Sequence, residues 1–191
     1  MSQYVQPFLT EDTLRYLNEN FGAPSQYLYG IGGAPYFSPQ TAYTDINGLF
    51  AALQTGLNSI LPGFSGLPAY TGGVVYSGIQ FRNIANFYGL KTLMYEGGPD
   101  LTVNRTDQVL VESAEGDTRI SQAVQAELAS AIGCGNDLFV YYKLAAPTSD
   151  PFGAYEDLTL PTPKSMALNS MASTPLSNYN VCTSSVPAAP K

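Results

Sequence analysis

Short apolar segments alternate with longer amphipathic ones along most of this 191-residue chain, and this alternation limits the possible fold more than any other property of the sequence. Strands are predicted at residues 3–8, 26–32, 91–95 and 137–144, and helical patterns separate them. Strands that alternate with helices are typical of a parallel sheet with crossover helices. The sequence therefore predicts an α/β fold of four successive β-α units, which form either an open sheet or half of a (β/α)₈ barrel.

Five segments carry the apolar spacing and end signals of helices. The clearest is Thr44–Leu61, where apolar side chains recur with the helical period and a Pro-Gly pair follows. The other helices are predicted at 10–21, 75–88, 118–132 and 163–171, and residues 97–116 are predicted to form a loop. From about Ser173 the chain is rich in Ser, Pro and Ala, which indicates a linker or a flexible end. The predicted organisation is one domain over residues 1–172 and a tail over 173–191.

The charge balance excludes two classes of partner. Eight Lys and Arg residues face fifteen Asp and Glu residues, which gives a net charge of −7. Binding to nucleic acid or to an anionic membrane surface depends on clustered basic side chains, so neither partner is expected. No segment reaches the roughly 18 consecutive apolar residues that span a bilayer.

A low share of charged residues, 12%, leaves a surface rich in hydroxyl groups, and such a surface favours an extracellular or cell-surface protein that meets carbohydrate. The N-terminal residues lack the basic start and apolar run of a signal peptide. Either the protein is cytoplasmic, or the chain begins downstream of its natural start.

Metal and cofactor chemistry finds little support in the residue types present. Histidine, the commonest metal ligand and general base, is absent. The two cysteines, Cys134 and Cys182, match no zinc-ligand spacing, and they form one disulfide or remain two thiols. We therefore expect no metal site and no cofactor.

Two predicted strand ends carry candidate functional residues. Tyr36 follows the second predicted strand, and Glu96 ends the third and is followed directly by two glycines. Functional side chains of parallel α/β sheets gather at the carboxyl ends of the strands. A strand would fix the Glu96 carboxylate and the glycines would leave room for a ligand. Spacing alone favours a simpler interpretation, in which Glu96 is a solvated strand-end residue followed by an ordinary Gly-Gly turn.

The stretch Tyr88–Gly98, with its Tyr-Glu-Gly-Gly sequence, resembles the seventh strand of clan A glycoside hydrolase-like (β/α)₈ barrels, especially bacterial cellulose-binding or glycosidase-like proteins. Three further regions are similar to the same family in matching order: 34–37 to the sixth strand, 135–142 to the eighth, and 153–156 with 163–168 to the closing loop and last helix. The resemblance covers residues 1–172. It implies the fifth to eighth strands of such a barrel.

Retaining glycoside hydrolysis is the activity that this resemblance implies. Two carboxyl groups about 5–5.5 Å apart flank the anomeric carbon in such enzymes. The match to the family motif makes Glu96 the catalytic nucleophile and places Tyr36 to hydrogen-bond its carboxylate. It also gives Tyr142 and Tyr155 substrate-binding roles as aromatic faces for a sugar ring. Each of the three tyrosines is equally well explained as a half-buried packing residue.

The sequence departs from the family in three places. The family's acid/base Glu, usually preceded by Asn, has no counterpart at a strand end, because Asn18-Glu19 falls inside a helical pattern. Pro99-Asp100 replaces the frequent Gln-His pair, and Ala154-Tyr155 stands where a tryptophan is common. A nucleophile without a proton donor should not turn over ordinary glycosides.

Half a barrel would also leave two unpaired sheet edges and an uncovered interior face. We therefore expect either a homo-oligomer or a partner that supplies the N-terminal half. Two functions remain open: part of a retaining glycoside hydrolase acting on a polysaccharide or glycoside, or a non-catalytic carbohydrate-binding or structural subunit of an extracellular assembly.

Overall fold

The computed structural model describes residues 7–58, 74–102, 107–133, 135–156 and 159–175. Within these ranges the helices are α1 (Pro7–Phe21), α2 (Ile46–Asn58), α3 (Val74–Phe87), α4 (Gln108–Glu115), α5 (Thr118–Gly133) and α6 (Pro163–Ala172). The strands are β1 (Gly30–Gly33), β2 (Tyr36–Phe37), β3 (Lys91–Met94), β4 (Gly98–Pro99) and β5 (Leu138–Phe139). Cys134, Cys182 and residues 176–191 of the predicted tail lie outside the described residues.

All strand pairs within the described residues are parallel. β3 lies between β1 and β5 in a three-stranded sheet, and β2 pairs with β4 in a two-stranded one. β2 follows β1 after two residues, and β4 follows β3 after three. The small sheet is therefore a continuation of the pairing between β1 and β3. The predicted α/β fold class with parallel strands is confirmed.

The prediction of a strand at residues 3–8 is wrong for residues 7 and 8, the two of this range that the structure describes. Pro7 and Phe8 are the first residues of α1, and residues 1–6 lie outside the described residues. Proline suits the first turn of a helix, because its missing N–H has no partner to lose there. The described part of the larger sheet therefore has three strands, where four were predicted.

The second predicted strand, 26–32, starts too early. A 3₁₀ turn occupies Pro24–Gln26, and β1 begins only at Gly30. The prediction relied on the apolar residues Tyr27, Leu28 and Tyr29. Their side chains are exposed and do not belong to a strand. The third strand is confirmed at Lys91–Met94, and the fourth is shorter than predicted.

The predicted helices are confirmed within a few residues, and one helix was missed. The end predicted for α2 at Leu61 lies outside the described residues. Residues 108–115, predicted to be a loop, form α4. The Asp107 side chain accepts a hydrogen bond from the Val109 N–H at 2.8 Å and caps this helix, while Val111 and Ala114 are buried. Two helical turns are too few for the apolar period to stand out.

The core lies between the sheet and the helices on one of its faces. Met94 on β3, Phe81 on α3 and Ile120 on α5 have no exposed surface. α6 packs outside, against α5. Each helix in the described ranges is too short or too polar for a membrane crossing.

The opposite face of the sheet is open among the described residues. Side chains alternate along a strand, so Leu138, Val140 and Tyr142 point to one side while Phe139 and Tyr141 pack with the helices on the other. Tyr95, Leu138, Val140 and Tyr142 are between 37% and 49% exposed. Parallel sheets usually have both faces covered.

Asp137 fixes β5 to the rest of the sheet. Its carboxylate accepts hydrogen bonds from the Thr92 N–H at 2.9 Å, from Lys91 at 2.9 Å and from Arg82 of α3 at 2.7 Å. Partial burial raises the pKa of Asp137, but these donors and charges outweigh burial and lower it to about 2. A lowered carboxyl pKa means that the stabilisation is present at neutral pH and is lost as the pH falls from about 4 to about 2.

Asp137→Asn is expected to lower the free energy of unfolding at pH 7 by about 1–2 kcal/mol, a modest value because the site is partly exposed. It should also flatten the loss of stability below pH 4, since the variant has no carboxylate to protonate at this position. Urea unfolding at both pH values measures both effects. Asp12→Asn, at an exposed ion pair with Arg15 on α1, is the control and should change little. Equal effects of the two substitutions would contradict this role of Asp137.

Candidate functional site

Glu96 stands at the carboxyl end of β3, in a local bulge. Gly33 pairs with Met94 and Tyr36 pairs with Gly98, so two residues of one chain segment face three of the other. Such an extra residue turns its strand and redirects a side chain, and bulges of this kind are frequent beside active sites. Here the three residues are Tyr95, Glu96 and Gly97.

The two glycines after Glu96 are required by their surroundings. A Cβ on Gly97 would lie 2.8 Å from the Phe139 ring and 2.9 Å from the Pro35 ring, closer than side chains tolerate. Gly98 has a φ of +139°, which residues with a Cβ rarely adopt. The Gly-Gly pair is therefore a tightly packed part of the sheet, and Gly98 belongs to β4.

The structure brings Tyr36 and Glu96 together. The negative charge of Glu96 acts on the Tyr36 hydroxyl, which means that the two side chains lie near each other. Burial raises the pKa of Tyr36 far above its usual range, and the negative charge of Glu96 raises it further. Tyr36 is thus a neutral hydrogen-bond donor throughout the physiological pH range. The interaction joins β2 to the segment that follows β3.

Tyr142 belongs to the same site through aromatic contacts. Its ring centroid lies 6.4 Å from that of Tyr36 and 6.0 Å from that of Phe152, and Tyr36 and Phe152 are 5.7 Å apart. All three contacts are edge-on, an arrangement that aromatic rings favour. Tyr142 is 41% exposed, so part of its ring remains free for a ligand.

Tyr155 lies in a different part of the structure. It lines a depression of about 180 Å³ whose walls include Glu115, Asp150 and Thr162. Its hydroxyl accepts a hydrogen bond from Asn169 of α6 at 3.3 Å. Of the four residues singled out from the sequence, Glu96, Tyr36 and Tyr142 form one site and Tyr155 lines another.

A buried ion pair behind the site was missed from the sequence. Lys164 has no exposed surface, and its ammonium group contacts the Glu115 carboxylate and donates hydrogen bonds to the Pro151 and Gly153 carbonyl oxygens. Those two carbonyls bracket Phe152, so Lys164 anchors the loop that carries one of the three rings. Burial raises the pKa of Glu115, and although Lys164 opposes this, the pKa reaches about 7. Burial lowers the pKa of Lys164.

A second buried acid, Glu127, was also missed. It faces the core from α5, is 1% exposed, and packs beneath Gly98. Burial raises the pKa of Glu127 well above its usual value, an effect that the Gly98 N–H opposes only in part. The spacing of α5 could have revealed this orientation, because residue 127 falls between Val124 and Ala131 on the buried stripe.

Among the described residues, no group of three or more Asp, Glu, Cys or His side chains is arranged to hold a metal ion. Comparison with protein families, with curated proteins and with solved structures finds no match to this chain.

Proposed function

We propose that this chain is the C-terminal part of a retaining glycoside hydrolase in which Glu96 is the nucleophile. The observation that carries the proposal is the position of Glu96 at the carboxyl end of a parallel strand, with the Tyr36 hydroxyl near enough to respond to its charge. Ligands of parallel α/β sheets bind at this end of the strands. A carboxylate held by a neutral donor is both oriented and kept from turning away from the substrate.

In the proposed reaction a Glu96 oxygen attacks the anomeric carbon of the sugar. The bond to the leaving oxygen breaks, its electron pair stays with that oxygen, and an acid protonates it. Water then attacks the same carbon and gives a proton to the conjugate base of that acid, while the bond between sugar and Glu96 breaks and the carboxylate is restored. Tyr36 remains neutral because its pKa is raised, and its proposed role is to donate a hydrogen bond to the carboxylate oxygen that does not attack.

The acid and the remaining strands are proposed to come from outside this chain. The open face with Tyr95, Leu138, Val140 and Tyr142 supports this, because in a complete barrel these side chains would face the interior. β1 and β5 are the outer strands of the described sheet, and parallel strands added to both would close it. An N-terminal half from a longer or separate polypeptide supplies the missing acid most simply, and a second copy of the chain is the alternative.

The proposed substrate is a polysaccharide or glycoside. Tyr142 offers a partly exposed ring beside Tyr36, backed by Phe152, on which the apolar face of a sugar can rest. Tyr155 fits this proposal only as a contact for more distant sugar units, because it lines the separate depression beside α6. An extracellular or cell-surface location agrees with such a substrate.

Non-catalytic carbohydrate binding is the second candidate function. The cluster of Tyr36, Tyr142 and Phe152 favours it, because an aromatic platform binds sugars without any proton donor. In that function Glu96 would accept a hydrogen bond from a sugar hydroxyl and form no covalent bond. The two functions differ in one measurable respect, the formation of a glycosyl ester at Glu96.

A 2-deoxy-2-fluoro glycoside with a dinitrophenolate leaving group separates these functions, because that leaving group departs without a proton and the test does not require the missing acid. Incubation with gluco, galacto and manno forms should add one sugar per chain, on the peptide that contains Glu96. Glu96→Gln should abolish labelling, since an amide is not a nucleophile. Intact-protein mass spectrometry followed by peptide mapping measures both.

Glu19→Gln is the matched control, because Glu19 is exposed on α1. This variant should label at the wild-type rate. Label on another residue, or label that persists in Glu96→Gln, would contradict the nucleophile assignment. Saturable binding of oligosaccharides without any covalent label would favour the non-catalytic function.

A further inference from the structure

An exposed aromatic surface lies at the amino ends of β1 and β3, at the opposite end of the strands from Glu96. Its side chains belong to the second half of α1, to the segment that leads into β1 and to the end of α3. Five aromatic residues form it, and each is between 54% and 76% exposed: Tyr16, Phe21, Tyr27, Tyr29 and Phe87. We call these five residues the amino-end surface. Exposed apolar patches of more than a few hundred Å² mark interaction sites.

Several contacts bring the three elements of this surface together. The Tyr16 and Phe21 rings pack edge-on with their centroids 6.1 Å apart, and the Tyr27 hydroxyl donates a hydrogen bond to the Phe21 carbonyl oxygen at 2.7 Å. α1 packs against both α3 and the 3₁₀ turn that precedes β1. At the end of α3 the Phe87 ring packs edge-on against Tyr88, with a centroid distance of 4.9 Å. The five rings therefore belong to one region of the molecule.

The exposed area of these rings is close to what an interface between two copies needs. A buried Tyr or Phe removes about 150–250 Å² from solvent, so covering the exposed parts of the five rings would bury roughly 450–750 Å² per copy. Leu28, which is 40% exposed in the same segment, adds to this area. A stable interface buries about 800 Å² on each partner. The amino-end surface thus supplies most of an interface by itself.

The charge distribution favours a second copy over a charged partner. Residues 20–29 contain no charged side chain, although the whole chain has a net charge of −7. Two copies of an acidic chain repel each other over most of their surfaces, and an uncharged region is where they can meet. The centres of protein interfaces are likewise poor in charge and rich in Tyr and Phe. A tyrosine hydroxyl both donates and accepts hydrogen bonds, so two identical surfaces of this kind can be complementary to each other.

We propose that the amino-end surface joins two copies of this chain in a two-fold dimer. The contact goes beyond the proposed function, because it involves neither the open face of the sheet nor the carboxyl end of β3 where Glu96 stands. The dimer should form reversibly as the protein concentration rises. Added salt should strengthen it, since salt screens the repulsion between two acidic chains while the contact itself depends on uncharged side chains.

Sedimentation velocity of the 191-residue chain over a wide range of protein concentrations tests this proposal. The wild type should change from monomer to dimer as the concentration rises. Tyr16→Gln combined with Tyr29→Gln should weaken the association at least about tenfold, because two aromatic contacts are lost from the interface. Both side chains are exposed, so the variant should fold, and circular dichroism checks this. Phe87→Gln changes a ring on another helix and should weaken the dimer in the same direction.

Leu138→Gln combined with Val140→Gln is the matched control, because it removes two exposed apolar side chains from the open face of the sheet. This variant should associate like the wild type. A wild-type chain that stays monomeric at every concentration would overturn the proposal. Association that the control weakens and the Tyr16 and Tyr29 substitutions leave unchanged would also overturn it, since the copies would then meet through the open face. A dimer that dissociates in added salt would contradict an uncharged contact.

Labelling with the fluoro glycoside is independent of this contact, because Glu96 lies at the other end of the strands. A chain that is labelled but stays monomeric would overturn the dimer alone, and a dimer without label would contradict the nucleophile alone. If the wild type stays monomeric and binds oligosaccharides less well after Tyr16→Gln and Tyr29→Gln, the surface binds carbohydrate and the proposed dimer is wrong.

Discussion

Lys164→Met is expected to lower the free energy of unfolding by about 3–5 kcal/mol, the usual consequence of removing one partner from a buried ion pair. The substitution removes the charge that lowers the pKa of Glu115, so this side chain must take up a proton when the protein folds at pH 7. It also takes a donor from the Pro151 and Gly153 carbonyl oxygens. The methionine side chain matches the aliphatic part of lysine, so lost packing contributes little. Urea unfolding at pH 7, followed by circular dichroism, measures the change.

Lys143→Met is the matched control, because Lys143 pairs with Asp150 at a partly exposed position near the same loop. It should have a small effect. Glu115→Leu combined with Lys164→Met should recover much of the loss, since removing both charges leaves neither one unpaired. A Lys164→Met protein as stable as the Lys143→Met protein would show that the buried pair contributes little.

Glu127→Gln is expected to raise the free energy of unfolding at pH 7, by up to about 3 kcal/mol. The pKa of Glu127 is raised in the folded protein from a reference value of 4.5, so folding at neutral pH must take up a proton at this site. Wild-type stability therefore falls as the pH rises above about 4.5. A glutamine needs no proton, and its advantage over the wild type should disappear near pH 4.

Unfolding free energies from pH 4 to pH 8 measure this difference. The stability of Glu127→Gln should still fall somewhat as the pH rises, because the pKa of Glu115 is also raised, to about 7. Folding therefore takes up a proton at Glu115 between about pH 4.5 and pH 7. Glu19→Gln, on the exposed side of α1, should follow the wild-type curve. A Glu127→Gln curve parallel to that of the wild type would mean that Glu127 is ionised in the folded protein.

The place of Glu96 in the fold could be predicted because its signals are local. A short apolar strand, an acid and two glycines stand next to one another in the sequence, and β3 with its bulge follows from them. Tyr36 could be connected to Glu96 only through the resemblance to a family, since 59 residues separate them and only the parallel pairing of β2 with β4 brings them together.

The burial of Lys164 could not be predicted by the same reasoning, and that of Glu127 only from its place on the buried stripe of α5. Glu127 and Lys164 are polar residues in amphipathic helices, and such residues are normally assigned to the solvent side. Their inward direction depends on the packing of α5 against α6 and the sheet. The strand predicted at residues 3–8 failed for a related reason, because a short apolar run does not by itself distinguish a strand from the first turn of a helix such as α1.

The location of Lys164 on α6 also determines how far the chain can be shortened. A fragment that stops before residue 163 would keep Glu115 in the interior without its counter-ion and would free the loop around Phe152. A shortened chain that keeps this fold must therefore include the last described helix, which supplies the counter-ion as well as apolar packing on α5.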